Sequence, residues 1–535
     1  MSSSASSKVS RAITLALNQG YQVSPDAVRL LQKFAEKKRG RSSSSSNINN
    51  NDNGSSAAEL ESILSIAIED KAKRDSTEKN ITPADLQRIL PDEFGLFFEE
   101  QSADGSPIQD SSESPNVGEF EILKDPSDKI QPTGTEGFAQ LFKSRYEKLS
   151  KIFMERPEGR QIVKISKINK DAKGSVRISG LVFGKRPTKN GVELTVDDDS
   201  GKASVLALGE DAKKLANQVS LDQCVMLEVE SRQGRLMLKN VIQPDLPNRV
   251  SSTSKKTVYA VFLSDLHIGS NKFLEGAFDR FLAWLQGRWK VPVPVPGHGD
   301  DDDSDEEVIK RLKYVIIGGD VVDGVGVFPN QEYELSESNI YKQYEMVSAK
   351  LRQMPPHLQV MVIPGNHDST RQALPQPMIP RKYAESLYQL KNVTMLGDPC
   401  VIKLHGVSIL MYHGRSLDDV LATTPGLSYE KPTDAMKVLL RARHLAPMFG
   451  SRTPIAPEVE DHLVIEQAPD IFHAGHVHSV GADSYKSTLV INSGTWQAQT
   501  GYQANLGIMP RPGLVPVVNL ATLDVSFREF LTSYQ

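Results

Sequence analysis

Five short stretches in the second half of the chain carry residue types that bind divalent metals, each behind an apolar run. After Val261-Phe262-Leu263 come Asp265 and His267, in Ser-Asp-Leu-His-Ile-Gly. Residues two apart leaving a strand point the same way, so this carboxylate and imidazole can converge. After Ile317 come Gly318-Gly319-Asp320, where glycine permits close backbone approach. Ile363 is followed by Pro364-Gly365-Asn366-His367-Asp368, and Tyr412 by His413-Gly414. A last apolar segment ends in His473-Ala474-Gly475-His476-Val477-His478. Asp, Asn and His without Cys suit Mn, Fe or Zn, with Mg also accepting such oxygens. Seven candidate ligands (Asp265, His267, Asp320, Asn366, His413, His476 and His478) suit two ions sharing one carboxylate. Such a pair activates water and neutralises the oxygens of an in-line phosphoryl displacement.

His367 stands beside a candidate ligand, and an imidazole titrating near neutrality suits proton transfer. Asp368 is placed to orient it, and Arg371 and Arg415 flank the motifs as candidate phosphate contacts. His444 competes with His413 for the second ion, but His413 follows a strand and precedes glycine. The parity of His473 points it away from the ligand pair that follows.

These motifs need a sheet to position them. Val258–Leu263, Tyr314–Ile317, Val360–Ile363, Val407–Tyr412 and Thr488–Ile491 are apolar on both faces and alternate with helical patterns such as Phe278–Leu285 and Ile340–Leu351. That is the signature of an α/β domain whose central strands are covered on both sides. In open sheets of this kind, ligands gather outside the carboxyl ends of the strands. Residues 291–307, VPVPVPGHGDDDDSDEE, interrupt the domain and read as a solvated surface insertion.

Upstream, the period changes to two. Val176–Ser179, Gly180–Phe183, Val192–Val196, Ala203–Ala207 and Val225–Val229 read as short strands, with Asp197-Asp198-Asp199-Ser200-Gly201 a hairpin turn. Together they suggest a small barrel over 157–250, resembling the oligonucleotide/oligosaccharide-binding (OB) type. Phe183 is the sole aromatic residue from Pro157 to Val250, which favours a protein-facing scaffold over a base-stacking groove. Phe138, Leu141, Phe142, Tyr146, Leu149, Ile152 and Phe153 mark an amphipathic connecting helix within 136–156. Residues 91–135 read as a flexible linker and 1–90 as a small helical module. Within that module Leu60, Ile63, Leu64, Ala67 and Ile68 share a helical face, further helices begin at Ser24-Pro25 and Thr82-Pro83, and the Ser/Asn tract 41–56 is expected to be disordered.

The 535 residues carry 62 Lys+Arg against 67 Asp+Glu, a net charge of −5. This excludes a basic coat for nucleic acid over the whole chain. Two cysteines exclude a disulfide framework or a cysteine-based zinc site and favour a reducing compartment. No apolar stretch approaches the ~20 residues of a membrane helix. Met1-Ser2-Ser3-Ser4 does not start a secretory signal. The expectation is a cytoplasmic, nucleoid-associated protein with no membrane contact.

As a set, Asp265-x-His267, Gly319-Asp320, Gly365-Asn366-His367-Asp368, His413-Gly414 and Gly475-His476-x-His478 resemble the calcineurin-like metallophosphoesterases, and look like their nuclease branch. The resemblance covers 258–500 and implies a β-sandwich flanked by helices over 251–535. It implies that Asp265, His267 and His478 hold one ion, that Asn366, His413 and His476 hold the other, and that Asp320 bridges them. His367 would then protonate the leaving 3′-oxygen. The order of helical module, linker, barrel and phosphoesterase resembles the archaeal DNA polymerase D small-subunit family, within the wider polymerase B-subunit family. Tyr146-Glu-Lys-Leu-Ser, Gly426-Leu-Ser-Tyr429-Glu-Lys-Pro and Arg443-His-Leu-Ala-Pro447 support it. That likeness implies a two-metal 3′→5′ proofreading exonuclease, with manganese as the expected ion. Its partners would be the large catalytic polymerase subunit, DNA 3′ ends and, through the complex, a sliding clamp. The alternatives are a catalytically silent scaffold subunit, and a metallophosphatase or phosphodiesterase acting on another substrate.

Overall fold

The doubly apolar runs become neighbouring strands whose alternate residues feed two different cores. In the computed structural model, which describes residues 22–23, 31, 63–69, 80–81, 119–127, 134, 136–169, 174–291, 304–505 and 507–531, the chain divides into two units, Met1–Glu113 and Ser114–Gln535. In the first, β1 (Gln22–Val23) pairs in parallel with β2 (Asn80–Ile81), and a helix over 63–69 buries Ile63, Leu64, Ala67 and Ile68. That is the helical face expected from sequence, whereas the parallel pairing was not expected. The Ser/Asn tract 41–56, and the helices expected at 24–34 (Leu31 apart) and 82–90, lie outside the described residues.

In the second unit, β9 (Tyr259–Leu263), β10 (Leu312–Ile317), β11 (Gln359–Val362) and β12 (Val393–Met395) run parallel. Antiparallel β18 (Leu514–Asn519) and β19 (Val525–Glu529) extend this sheet beyond β9. A second sheet is built from β3 (Phe120–Lys124), β13 (Cys400–Leu404), β14 (Val407–Met411), β15 (Ile471–Ala474), β16 (Val480–Tyr485) and β17 (Thr488–Ser493). Its six strands lie in the order β16-β17-β15-β14-β13-β3. Ala260, Phe262, Ile316, Met361 and Ile363 face Ile402, Ile409, Met411, Ile471 and Ile491 in a core between the sheets. The intervening residues Val261, Leu263, Val315, Ile317 and Val362 pack outward on the helices Glu275–Leu285 and Ile340–Leu351. Leu410, Phe472 and Val490 do the same against the helix Pro432–Ala442 on the other side. The result is four layers, helix–sheet–sheet–helix, with period-two alternation deciding which core each residue joins.

The barrel closes through β4 (Ser175–Thr188), β5 (Gly191–Asp198), β6 (Gly201–Leu208), β8 (Arg235–Ile242) and β7 (Cys224–Arg232). Two strands expected at 176–179 and 180–183 are one long strand. Its register shifts between Val182 and Gly184, so the bend needed for closure comes from a bulge and not from a turn. β8 was not expected.

Two boundaries also differ. The expected linker 91–135 contains β3, which pairs antiparallel with β13 and covers the edge of the second sheet. The acidic run ends in a helix: Ser304 caps Asp305–Arg311, whose first turn carries Asp305, Glu306 and Glu307. Negative charge is favourable at that end of a helix dipole, and Asp305 also meets Arg528 at 2.8 Å.

The helix Gly137–Met154 is more than a connection. Leu141 joins the core beneath Leu439 and Leu440, while Tyr146, Leu149 and Phe153 pack on Cys224 and Met226 of the barrel. Arg145, fully buried, donates Nε to Asp461 at 2.7 Å and Nη1 to the carbonyl of Pro447 at 2.9 Å. His444 meets the same Asp461 oxygen through Nε2 at 2.9 Å, while its Nδ1 accepts from Ala446 N–H. Burial, with Arg145 next, lowers His444 to about 4, so it is the neutral Nε2–H form that donates. Removing one partner of such a buried set strands the others. Asp461→Ala is therefore expected to lower the unfolding free energy by about 3–5 kcal/mol in a urea titration. Adding Arg145→Ala should cost less than the sum of the two single changes.

Candidate metal centre

The loops that follow β9, β10, β11, β14 and β15 converge on one point. Asp265, His267 and His478 bring one potential ligand atom each within 4.8 Å of one another, and Asp320, His413 and His476 do likewise. His478 Nε2 lies 3.1 Å from His267 Nε2 and 3.3 Å from Asp265 Oδ1. Asp320 Oδ2 stands 3.3 Å from His413 Nε2 and 3.9 Å from His267 Nε2, so it faces both groups. Asn366 Oδ1 is 3.0 Å from His413 Nε2. All seven expected ligands therefore meet. His444 does not, being bound to Asp461, whereas His413 lies with Asp320 and His476.

The local backbone explains the convergence. Asp265, His267, Asp320, His476 and His478 all have positive φ, between 50° and 70°, a conformation uncommon outside glycine. Five such residues side by side store strain that only surrounding packing can hold, the pattern of a functional site. Glycine is required at Gly365, where a Cβ would fall on Asp320 Oδ1 and within 2.6 Å of the Asp320 nitrogen.

Each imidazole is oriented from behind. Nδ1 of His413 donates to the Gly318 carbonyl at 2.8 Å, which turns Nε2 toward Asp320. Nδ1 of His267 lies 3.2 Å from Asp323 Oδ1, and Nδ1 of His478 contacts the Gln503 amide at 2.7 Å. Nε2 of His476 lies 3.2 Å from Asp418 Oδ2, leaving Nδ1 for the centre. Outer partners of this kind fix the ring and tautomer of metal-ligating histidines. Asp323, Asp418 and Gln503 were missed in the sequence. The signal for the first two was present, since Asp323 follows Asp320 by three residues and Asp418 follows His413 by five.

The chemistry of the donor set fits two divalent cations. Asp265 Oδ1 is fully buried and has no hydrogen bond. Burial works against the charge on Asp320, yet His413 and His367 hold it well below the ordinary carboxylate range. Burial likewise opposes charge on the imidazoles. Even so, the neighbouring carboxylates of Asp265 and Asp323 raise His267 to about 10, and the charge of Asp320 raises His413 to about 10. Without ions, protons on these rings occupy the places that cations would take.

His367 is half-buried. Its Nδ1 donates to the Asp323 carbonyl at 2.7 Å and its backbone N–H donates to Asp320 Oδ1 at 2.7 Å. Nε2 is left to act outward, and burial lowers the ring's pKa. The expectation that Asp368 orients His367 is not met. Asp368 instead accepts from Gly365 N–H at 2.9 Å, Val321 N–H at 3.3 Å and Tyr344 O–H at 3.2 Å, locking the loop that carries Asn366. Burial, then Asp320, raises its carboxyl to about 7. Arg371 is bound to Glu458 at 2.6 Å and to the carbonyls of Ala373 and Pro375. Half-buried Arg415 donates one nitrogen to Gln372 and stands in the field of Asp320 and Asp418. His473 bonds Ser493 at 2.9 Å within the core, as its parity implied.

Comparison with known proteins places this geometry. The family model for the DNA polymerase alpha/epsilon B-subunit matches residues 260–480. The DNA polymerase II small subunit of Archaeoglobus fulgidus is 38% identical over 399 residues, 74% of this chain and 78% of its own length. The chain belongs to the archaeal DNA polymerase II (polymerase D) small-subunit family. The Halobacterium salinarum member is 32% identical over 82% of this chain and 84% of itself. The Pyrococcus furiosus member is 42% identical over 73% of this chain, which spans only 63% of that relative's length. A solved archaeal phosphodiesterase aligns over 50% of this chain at 12% identity and a TM-score of 0.25, too slight a likeness to bear on fold or function. No helix among the described residues is long and apolar enough to cross a membrane.

Because His267 and His413 carry protons without metal, uptake of ions should release them. Titration calorimetry with Mn²⁺ at pH 7, in buffers of different ionisation enthalpy, should show proton release on binding. Apparent affinity should rise with pH while these rings are still protonated, toward pH 10. In Gly365→Ala the Cβ must displace Asp320, and affinity is expected to fall at least about tenfold, the size of an outer-partner loss.

Proposed function

We propose that this chain is the 3′→5′ exonuclease subunit of a heteromeric DNA polymerase, acting on a mispaired primer end that has melted into single strand. The observation that carries this reading is the pair of ligand groups, both faced by Asp320, with His367 beside them donating Nδ1 to the Asp323 carbonyl. Asp265, His267 and His478 would hold one divalent ion, Asn366, His413 and His476 the other, and Asp320 both; manganese suits the set, with iron, zinc or magnesium as alternatives. When bound, such a pair polarises the phosphodiester and supplies an activated water.

The protein's own groups do the rest. The Asp323 carbonyl holds the proton on Nδ1 of His367, so Nε2 is the atom that faces the departing 3′-oxygen; it passes on a proton from the imidazolium form, which Asp320 and Asp323 favour against burial. Arg415, which lies in the field of Asp320, steadies a phosphate oxygen. The barrel reads as OB-type, because its first strand pairs with its second and fourth, its third and fifth pair in parallel, and the helix Glu210–Asn217 lies between the third and fourth. Its scarcity of aromatics suits docking of the large catalytic subunit, through which DNA and a sliding clamp are reached. Such work lies in the cytoplasm, at the nucleoid.

The full chain with Mn²⁺ and 3′-labelled single-stranded DNA should release nucleotides from the labelled end. His367→Ala is expected to slow this by about 10²–10⁴-fold, the usual contribution of a positioned proton donor, while Mn²⁺ affinity holds. Cleavage of a phosphomonoester alone would instead make the chain a phosphatase. Inertness toward every phosphoester would make it a scaffold.

A further inference from the structure

A groove of about 480 Å³ opens beside His367, and the reaction does not account for it. Val325, Ser369, Thr370, Lys382 and Tyr383 are among its lining residues. Val325 lies two residues beyond Asp323, and Ser369 two beyond His367, so the same two loops line the groove and carry residues of the centre. Gly324 ties the two loops together, since a Cβ there would fall on the His367 carbonyl.

The residues lining and flanking it are unusual for this protein. Tyr341 is half exposed, with its ring 5.8 Å from that of Tyr383. The Lys382 ammonium lies 4.7 Å from the Tyr383 ring centroid. Phe328 sets its half-buried ring 6.2 Å from the imidazole of His367. The barrel offers only Phe183 between Pro157 and Val250, a single aromatic ring where a stacking platform needs several. Aromatic faces interleaved with cations bind single-stranded nucleic acid, because every base has a face to stack and every linkage a charge to meet.

From this we infer that the groove holds the unpaired end of a DNA strand: bases lie against Tyr341 and Tyr383, Lys382 meets a backbone phosphate, and Phe328 supports the terminal base beside His367. The inference rests on the nuclease reading for its substrate and adds the means of telling a polynucleotide from a small phosphoester. It also assigns single-strand binding to the catalytic domain and not to the barrel.

The test measures binding and cleavage separately on the full chain. Binding of a fluorescein-labelled single-stranded oligonucleotide and of the matching duplex is followed by anisotropy in Ca²⁺. Cleavage of the oligonucleotide and of bis(4-nitrophenyl) phosphate is followed in Mn²⁺. Tyr341→Ala with Tyr383→Ala should weaken single-strand binding about tenfold or more and lower the ratio of kcat/KM for DNA to that for the small diester. Lys382→Ala should weaken binding and reduce its salt dependence by about one phosphate. The duplex should bind less well than the single strand, and Phe183→Ala should leave binding unchanged. Thermal unfolding of each variant checks its fold. Unaltered DNA binding in the tyrosine variant, or a loss seen instead in Phe183→Ala, overturns the inference. Should the groove variants lose DNA binding while the native chain cleaves only the small diester, the groove stands and the nuclease reading falls. Cleavage of DNA at an affinity the groove residues do not affect would leave the nuclease reading standing and the groove refuted.

Discussion

Anionic side chains crowded out of water, with imidazoles as their nearest counter-charges, set the terms for this structure. Asp265 and Asp320 are buried, Asp323 lies behind His267, and Asp418 is held at about 2 against burial by His476. Such a cluster repels itself unless cations or protons are supplied, and its desolvation is costly. The two-sheet core is the rigid frame that keeps the cluster assembled. The inter-sheet layer fixes the ends of β9, β10, β11, β14 and β15 in one place, and the left-handed residues after them turn the ligands inward.

This constraint also explains why the partners behind the ligands are so consistent in chemistry. A backbone carbonyl holds His413 and another holds His367, a carboxylate stands behind His267 and His476, and an amide behind His478. Each leaves one ring nitrogen directed at the centre. Asp368 does a different task with the same side chain. It accepts two backbone N–H groups and a tyrosine hydroxyl, and so stiffens the turn between Gly365 and Ser369.

The ligands were legible in the sequence because metal chemistry restricts residue type and strand ends restrict position. The strands behind them were legible because burial on both faces leaves unbroken apolar runs. What escaped has equally physical reasons. Asp323 and Asp418 look like ordinary loop carboxylates until folding sets them behind histidines. β3 lies in a polar segment and leaves Ile122 and Leu123 more than two-fifths exposed, so nothing in its composition announces a sheet edge. The two short barrel strands merged because a bulge, unlike a turn, needs no Gly-Asn or Asp-Gly signature. His444 competed as a ligand because it lies in the stretch before His476, but its partner is a carboxylate shared with Arg145.

β3 has one further consequence. The barrel lies, in chain order, between a strand of one sheet and a strand of the other, since β3 precedes it and β9 follows it. A lobe held at both its entry and its exit by the same sandwich, and wedged there by the helix Gly137–Met154, cannot swing as a tethered module does. It shares one coordinate frame with the metal centre. Whatever grips its outer face is held at a set distance and angle from the candidate ligands, so the barrel serves as a ruler built into the body that carries them.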